Sequence, residues 1–152
     1  MKKLVVGLLL SLVFSGRALS QECTSRLQGF VNKTGYKLIV AKPCKVWVAT
    51  DALTIPRGEG VTGLLLLAQE GEMGVVGAVV QPKAKLHLTA DLLQKLMKMN
   101  NSLDYVKVGI DDDGDLFVRS ELQMESVTDD EFSAVVKKVV EASTKISDIL
   151  KE

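Results

Sequence analysis

The stretch VTGLLLLAQEGEMGVVGAVV, residues 61–80, decides the fold. Its length and apolar content suit a membrane span, but the two glutamates at its centre would be costly inside a bilayer. Two nearly continuous apolar strands over 63–68 and 74–80, joined by a turn over 69–72, explain the same pattern without that cost. We therefore predict a β-hairpin, with at least one strand in the middle of a sheet.

The segments on either side of this hairpin predict three helices, each opened by a capping residue. Thr24 or Ser25 opens the first helix, Thr89 opens the second, which ends at Asn100–Asn101, and Thr128 opens the third. In the third helix a glutamate three residues after the threonine completes a capping box. Each helix carries an apolar stripe that predicts its buried face. The stripe of the first helix is Leu27, Phe30 and Val31, and that of the second is Leu92, Leu93, Leu96 and Met97. The stripe of the third is Phe132, Val135, Val136, Val139, Ala142 and Ile146.

Further strands are predicted from alternating or β-rich runs. They cover 36–41 and 45–50 before the hairpin, and 105–110 and 116–122 after the second helix. The order is written as α-β-β-β-α-β-β-α, which is an α+β fold with an antiparallel sheet covered by helices mainly on one face.

The first twenty residues have the three-part pattern of a secretory signal peptide. A basic head at 1–3 precedes an apolar run over 4–14, and the small residues Ala18 and Ser20 suit a signal peptidase. The alternative, a transmembrane anchor, would need about 20 apolar residues. We expect cleavage after Ser20, a single domain over 21–152 with no membrane span, and a periplasmic or secreted location.

Two cysteines, Cys23 and Cys44, remain after this cleavage. Export would place them where disulfides persist, so we expect one bridge, with two free thiols as the alternative. No Cys-x-x-Cys motif is present, so the sequence does not support redox catalysis or a zinc ribbon.

The acidic run 111–115 is the most suggestive stretch for binding chemistry. Its carboxylates suit Ca²⁺, but an EF-hand needs Gly and Glu where Leu116 and Leu122 stand. The favoured interpretation is a hairpin turn in which Asp113 and Gly114 supply positive φ angles. A protein that binds Ca²⁺ or a small ligand through this turn is the alternative.

Composition and motifs argue against several classes of function. The 152 residues carry 19 basic and 19 acidic side chains, a balance unlike that of a dedicated nucleic-acid binder. The single histidine, His87, has no paired nucleophile, and no Gly-x-Ser-x-Gly motif occurs. We therefore predict no enzyme, no catalytic residue, no cofactor and no metal site.

Several residues in the C-terminal half resemble a known family. They occupy the pattern Leu92-Leu93, Leu96, Asn100-Asn101, Asp111-x-Asp113-Gly114-Asp115-Leu116-x-Val118-Arg119-x-Glu121-Leu122 and Thr128-x-x-x-Phe132. This pattern resembles YbjN-type domains, which are similar in fold to the secretion chaperones of the bacterial type III system. The resemblance covers about residues 24–150 and is strongest from Leu92 onward. It implies a protein-binding or regulatory module that is often dimeric and has no enzymatic activity.

The sequence therefore predicts an exported, non-enzymatic module of YbjN type. Its exposed sheet face or sheet edge would accept an unidentified protein or peptide by hydrophobic docking or strand addition. A homodimer is also expected, and a nucleic-acid partner is not.

Overall fold

The computed structural model describes residues 22–33, 36–49 and 64–151. These ranges contain three α-helices, six strands and a 3-10 turn at Lys83–Lys85. The helices are α1 (22–33), α2 (Ala90–Ser102) and α3 (Asp129–Ile149), and the strands are β1 (Lys37–Lys42), β2 (Lys45–Ala49), β3 (Leu65–Glu70), β4 (Met73–Gln81), β5 (Lys107–Ile110) and β6 (Leu116–Gln123).

The strands form one antiparallel sheet in the order β1-β2-β3-β4-β6-β5. The predicted α+β class is confirmed. The predicted order of elements differs from the structure in one respect. Four strands lie between α1 and α2, where the predicted order has three. Pro43 and Cys44 form a tight turn between β1 and β2, so the two upstream β-rich runs become separate paired strands.

The hairpin predicted over residues 61–80 is confirmed as β3 and β4, with 61–63 outside the described ranges. Gly71 takes a φ of 61° in the turn, and Glu70 pairs with Met73 beside it. Glycine adopts this left-handed backbone conformation at little energetic cost, which explains why a glycine stands at this position of the turn. Within the described ranges, no helix has the length and apolar content needed to cross a membrane.

Helices α1 and α3 pack on one face of the sheet and form the core with it. The rings of Phe30 and Phe132 stack with their centroids 4.3 Å apart, which joins the two helices. Alternate side chains of the central strands complete this core; they include Val46, Val48, Leu65, Leu67, Val76, Leu116 and Val118. The apolar stripes predicted for α1 and α3 therefore face the core, with Val135 only partly buried.

The cap predicted at Thr24 or Ser25 is wrong, because α1 already includes residues 22 and 23, and Thr24 and Ser25 both lie inside the helix. The two caps predicted at Thr89 and Thr128 are confirmed. The Thr89 side chain accepts a hydrogen bond from the amide of Leu92, and Thr128 forms the full capping box with Glu131. Helix α2 continues to Ser102, slightly past its predicted end. Asn100 therefore lies inside the helix, and its Oδ1 accepts a hydrogen bond from the amide of Val108 at 2.8 Å.

The stripe predicted for α2 is wrong at two of its four positions. Leu96 is buried and Leu92 packs partly against the core. Leu93 is 43% exposed and Met97 is 73% exposed. The helical spacing places these side chains near one another, but α2 packs beside the short edge strand β5, which is too narrow to cover all four.

Cys23 and Cys44 are joined by a disulfide with a Cα–Cα distance of 5.1 Å. The bridge attaches the start of α1 to the turn between β1 and β2. The Thr24 hydroxyl accepts a hydrogen bond from the amide of Cys44 at 2.9 Å and reinforces the same junction. The predicted signal peptide, residues 1–20, lies outside the described ranges.

Candidate functional site

The second face of the sheet carries apolar side chains that the described helices leave uncovered. We call it the open face and define it by the half-buried residues Trp47, Leu66, Val75, Val79 and Phe117. These positions alternate along their strands with the core residues, so they point away from α1 and α3. Apolar area of this kind on a sheet is typical of a binding surface.

A groove with a volume of about 220 Å³ lies in the middle of the open face. Gly77 forms its floor, because this residue pairs with Leu66 on one side and with Arg119 on the other. Trp47 and Leu66 line one wall, and Phe117 and Arg119 line the opposite wall. A Cβ atom at Gly77 would lie 3.3 Å from the Arg119 Cβ, so the missing side chain creates the depth of the groove.

Charged groups surround this apolar groove. Glu121 accepts a hydrogen bond from the Lys107 ammonium at 2.8 Å and lies 3.2 Å from the Arg119 guanidinium. The Lys107 hydrogen bond and the two positive charges lower the pKa of the Glu121 carboxyl. The Arg119 guanidinium also lies 5.2 Å from the centre of the Phe117 ring. The contact between Arg119 and the Phe117 ring places a cation beside an aromatic wall of the groove.

Each edge of the sheet has a feature that hinders pairing with an added strand. Helix α2 lies along β5. The outward amide of Val108 donates its hydrogen bond to the Asn100 side chain and not to an added strand. At the other edge, β1 has an irregular register between Leu38 and Val40. Bulges of this kind protect edge strands from pairing with another chain. The open face is therefore more accessible to a partner than either edge.

A second exposed apolar surface lies beside β5. Leu93 and Met97 of α2 and Ile110 of β5, which is 41% exposed, line a cavity of about 240 Å³. We call it the α2 surface. Sequence periodicity predicted that Leu93 and Met97 lie in the core. The α2 surface could therefore be identified only from the way α2 packs in the structure.

The acidic run 111–115 forms the turn between β5 and β6. Its backbone differs from the predicted turn, because Gly114 has a φ of 89° while Asp113 is not among the residues with positive φ. Asp111 accepts a hydrogen bond from the amide of Asp115, and Asp115 accepts one from the amide of Lys83. Across the described ranges, no three His, Cys, Asp or Glu residues converge to hold a metal ion. The Asp111 and Asp115 carboxylates therefore hold the backbone of the turn.

His87 is exposed in the segment that leads into α2. It borders a shallow cavity with Thr89 and Asp91, which are the cap and the first acidic residue of that helix. Thr89 accepts the helix hydrogen bond from Leu92, so its oxygen already has a structural role. The cavity brings no cysteine or serine to His87 from the described residues.

The profile of one protein family matches residues 50–152, about two thirds of the chain. The chain belongs to the YbjN family. The family is described as "putative bacterial sensory transduction regulator". This membership confirms the resemblance drawn from the sequence. No curated protein matches the chain in sequence.

Solved structures of similar fold include YbjN family and secretion-chaperone proteins. The YbjN protein of E. coli, described as a "putative transcription regulator", matches with a TM-score of 0.58 and 20% identity, over 82% of this chain and 88% of its own. The type III secretion chaperone SycH of Yersinia pestis, in complex with a fragment of YscM2, matches with a TM-score of 0.57 and 16% identity, over 82% and 99%. A chain of the ExoU–SpcU complex of Pseudomonas aeruginosa matches with 0.54 and 18%, over 81% and 96%. These likenesses show the fold that the family shares with type III secretion chaperones.

Proposed function

We propose that this protein is an exported, non-enzymatic binding module that holds an apolar segment of another protein on the open face. The groove over Gly77 carries the proposal, since it offers an apolar floor, aromatic walls and a charged rim. Similar-fold proteins such as SycH form complexes with protein fragments, which supports a protein partner here.

Docking on the open face is favoured over strand addition. The edge of β5 is occupied by α2, and the edge of β1 is bulged. An extended segment lying across the strands could place one apolar side chain over Gly77 and polar groups beside Arg119 or Lys45. Charged rims of this kind set orientation and register more than they add affinity.

The proposed export rests on residues 1–20 and is supported by the disulfide. A bridge between Cys23 and Cys44 persists in an oxidising compartment and is rare in the cytosol. Mass spectrometry of the protein recovered from a periplasmic fraction tests this point. An N-terminus at Gln21 is the expected result, and an intact Met1 in the cytoplasm would refute it.

The binding proposal is tested by suppression of aggregation of a reduced, unfolding substrate such as insulin. We expect the wild-type protein to suppress light scattering by the substrate and Leu66→Glu to lose most of this effect, because the new charge lies beside the groove. Leu88→Glu is the matched control, since it makes the same change at an exposed leucine that lines neither the groove nor the α2 surface. Equal loss in both variants, or in neither, would refute a role specific to the open face.

The α2 surface is proposed as the contact of a homodimer. Leu93, Met97 and Ile110 expose apolar side chains together, whereas single exposed apolar residues need no explanation. The contact would repeat on both subunits about a two-fold axis. Light scattering after size exclusion measures the mass, with a dimer as the expected result.

A further inference from the structure

A further cavity, of about 370 Å³, lies on the opposite side of β6 from the open face. We call it the α3 pocket. Leu122, Val127 and Val135 form its apolar walls, and each packs partly against the core. Tyr105 and Lys138 stand at its rim. Its volume falls within the range of small-molecule sites, roughly 300–1,000 Å³.

Tyr105 is held in an unusual position at this rim. Its φ of 66° lies in the left-handed region, which is rare for a bulky aromatic residue. Its side chain is 78% exposed, so burial in the core does not compensate for that backbone conformation. The Lys138 ammonium lies 4.6 Å from the centre of its ring. Residues in sparsely populated backbone conformations cluster at ligand clamps and other functional positions.

One carboxylate and one ammonium line the pocket, and the carboxylate is engaged in the cap of α3. Glu131, the carboxylate on its lining, accepts hydrogen bonds from both the amide and the hydroxyl of Thr128. These bonds, the amide bond first, lower the pKa of Glu131 and keep it ionised as part of the helix cap. Lys138 forms no ion pair with the described residues, while Lys137 beside it on α3 lies 3.9 Å from Glu141. An anionic group entering the pocket would therefore meet an ammonium that retains its hydrogen-bonding capacity.

We propose that the α3 pocket binds a small amphipathic carboxylate. Its apolar body would lie against Leu122, Val127 and Val135, and its carboxylate would accept a hydrogen bond from Lys138 beside the Tyr105 ring. This site is separate from the groove on the open face, so it does not depend on the proposed protein-binding function.

The test is an amide NMR titration of the protein with decanoate below its micelle concentration. We expect saturable shifts at Tyr105, Val127 and Val135, with unchanged amides around Gly77. Decan-1-ol, which has the same chain and no charge, should bind at least about tenfold more weakly, since hydrogen bonds to charged groups contribute about 1.5–3 kcal/mol.

Two variants and one control make the result specific. Lys138→Met should weaken decanoate about tenfold and leave decan-1-ol unchanged, whereas Lys137→Met on the solvent side should change neither. Ala134→Trp, at an exposed position of α3 that lines the pocket, should block both probes. Equal affinity for acid and alcohol, an unaffected Lys138→Met variant, or shifts produced only by anionic phospholipid vesicles would overturn the proposal.

Discussion

Replacement of both disulfide cysteines by alanine is expected to cost about 3 kcal/mol of unfolding free energy. Cys23 and Cys44 are 21 positions apart, and the loop-entropy relation gives about 3 kcal/mol for a closed loop of that size. Helix α1 should stay docked in the folded variant, because Leu27 and Val31 remain buried and the Phe30 ring still stacks on α3. The loss should therefore come from the unfolded chain, which gains freedom.

The backbone at Cys44 allows a sharper test of this reasoning. Its φ is 55°, in the region where a side chain costs roughly 1 kcal/mol and glycine costs little. With Cys23→Ala in both proteins, Cys44→Gly should thus be more stable than Cys44→Ala by about 1 kcal/mol. The Thr24 hydroxyl can accept the amide hydrogen bond of residue 44 in either variant, so this contact cancels.

Urea unfolding followed by circular dichroism measures both effects. With a slope of about 2 kcal/mol/M, the loss of 3 kcal/mol lowers the midpoint by about 1.5 M. Wild-type protein with its disulfide reduced should match the alanine variant. A midpoint shift below about 0.5 M would refute the loop-entropy argument. Equal stability of the proteins that carry Cys44→Ala and Cys44→Gly would refute the argument from φ.

Three further predictions concern the helices. Met97→Glu should convert the expected dimer to a monomer in light scattering, because it places a charge in the α2 surface; a wild-type monomer would contradict the proposed contact. Phe132→Ala should cost about 3–5 kcal/mol in urea unfolding, since the ring is 2% exposed and stacks on Phe30; a smaller loss would mean that α1 repacks. The cap formed by Glu131 should stabilise the fold above the unfolded pKa of glutamate, about 4.3, and weaken as pH falls through the lowered folded pKa. The stability difference between wild type and Glu131→Gln, measured across this range, should therefore shrink on acidification.

Features set by neighbouring residues could be predicted from the sequence. Thr89 and Thr128 cap their helices because a threonine at that position meets free amides within one turn. The β3–β4 hairpin follows from two apolar runs around a glycine, and its turn forms at Gly71. The strand count was harder, since the turn at Pro43–Cys44 is too short to distinguish two strands from one broken strand.

Features set by packing could not be predicted in this way. The spacing of Leu93 and Met97 indicates that they share a face of α2, but it does not show how wide a surface will cover them. Asn100 was predicted to help end the helix. Instead its side chain accepts a hydrogen bond from the amide of Val108 in β5. A contact between two different elements leaves no pattern in the sequence around Asn100. The α3 pocket depends on the backbone of Tyr105, for which the sequence carries no signal that we can identify.

The open face and the α3 pocket are separated by the alternation of side chains along β6. Phe117 and Arg119 of β6 point to the open face, while Leu122, three residues beyond Arg119, lines the α3 pocket on the other side. Leu66 lines the groove and not the pocket, whereas Lys138 lines the pocket and not the groove. The effects of Leu66→Glu on protein binding and of Lys138→Met on decanoate binding should be independent in the double variant. Coupling between them would mean that β6 itself shifts when either surface is occupied, since it is the strand that carries residues of both.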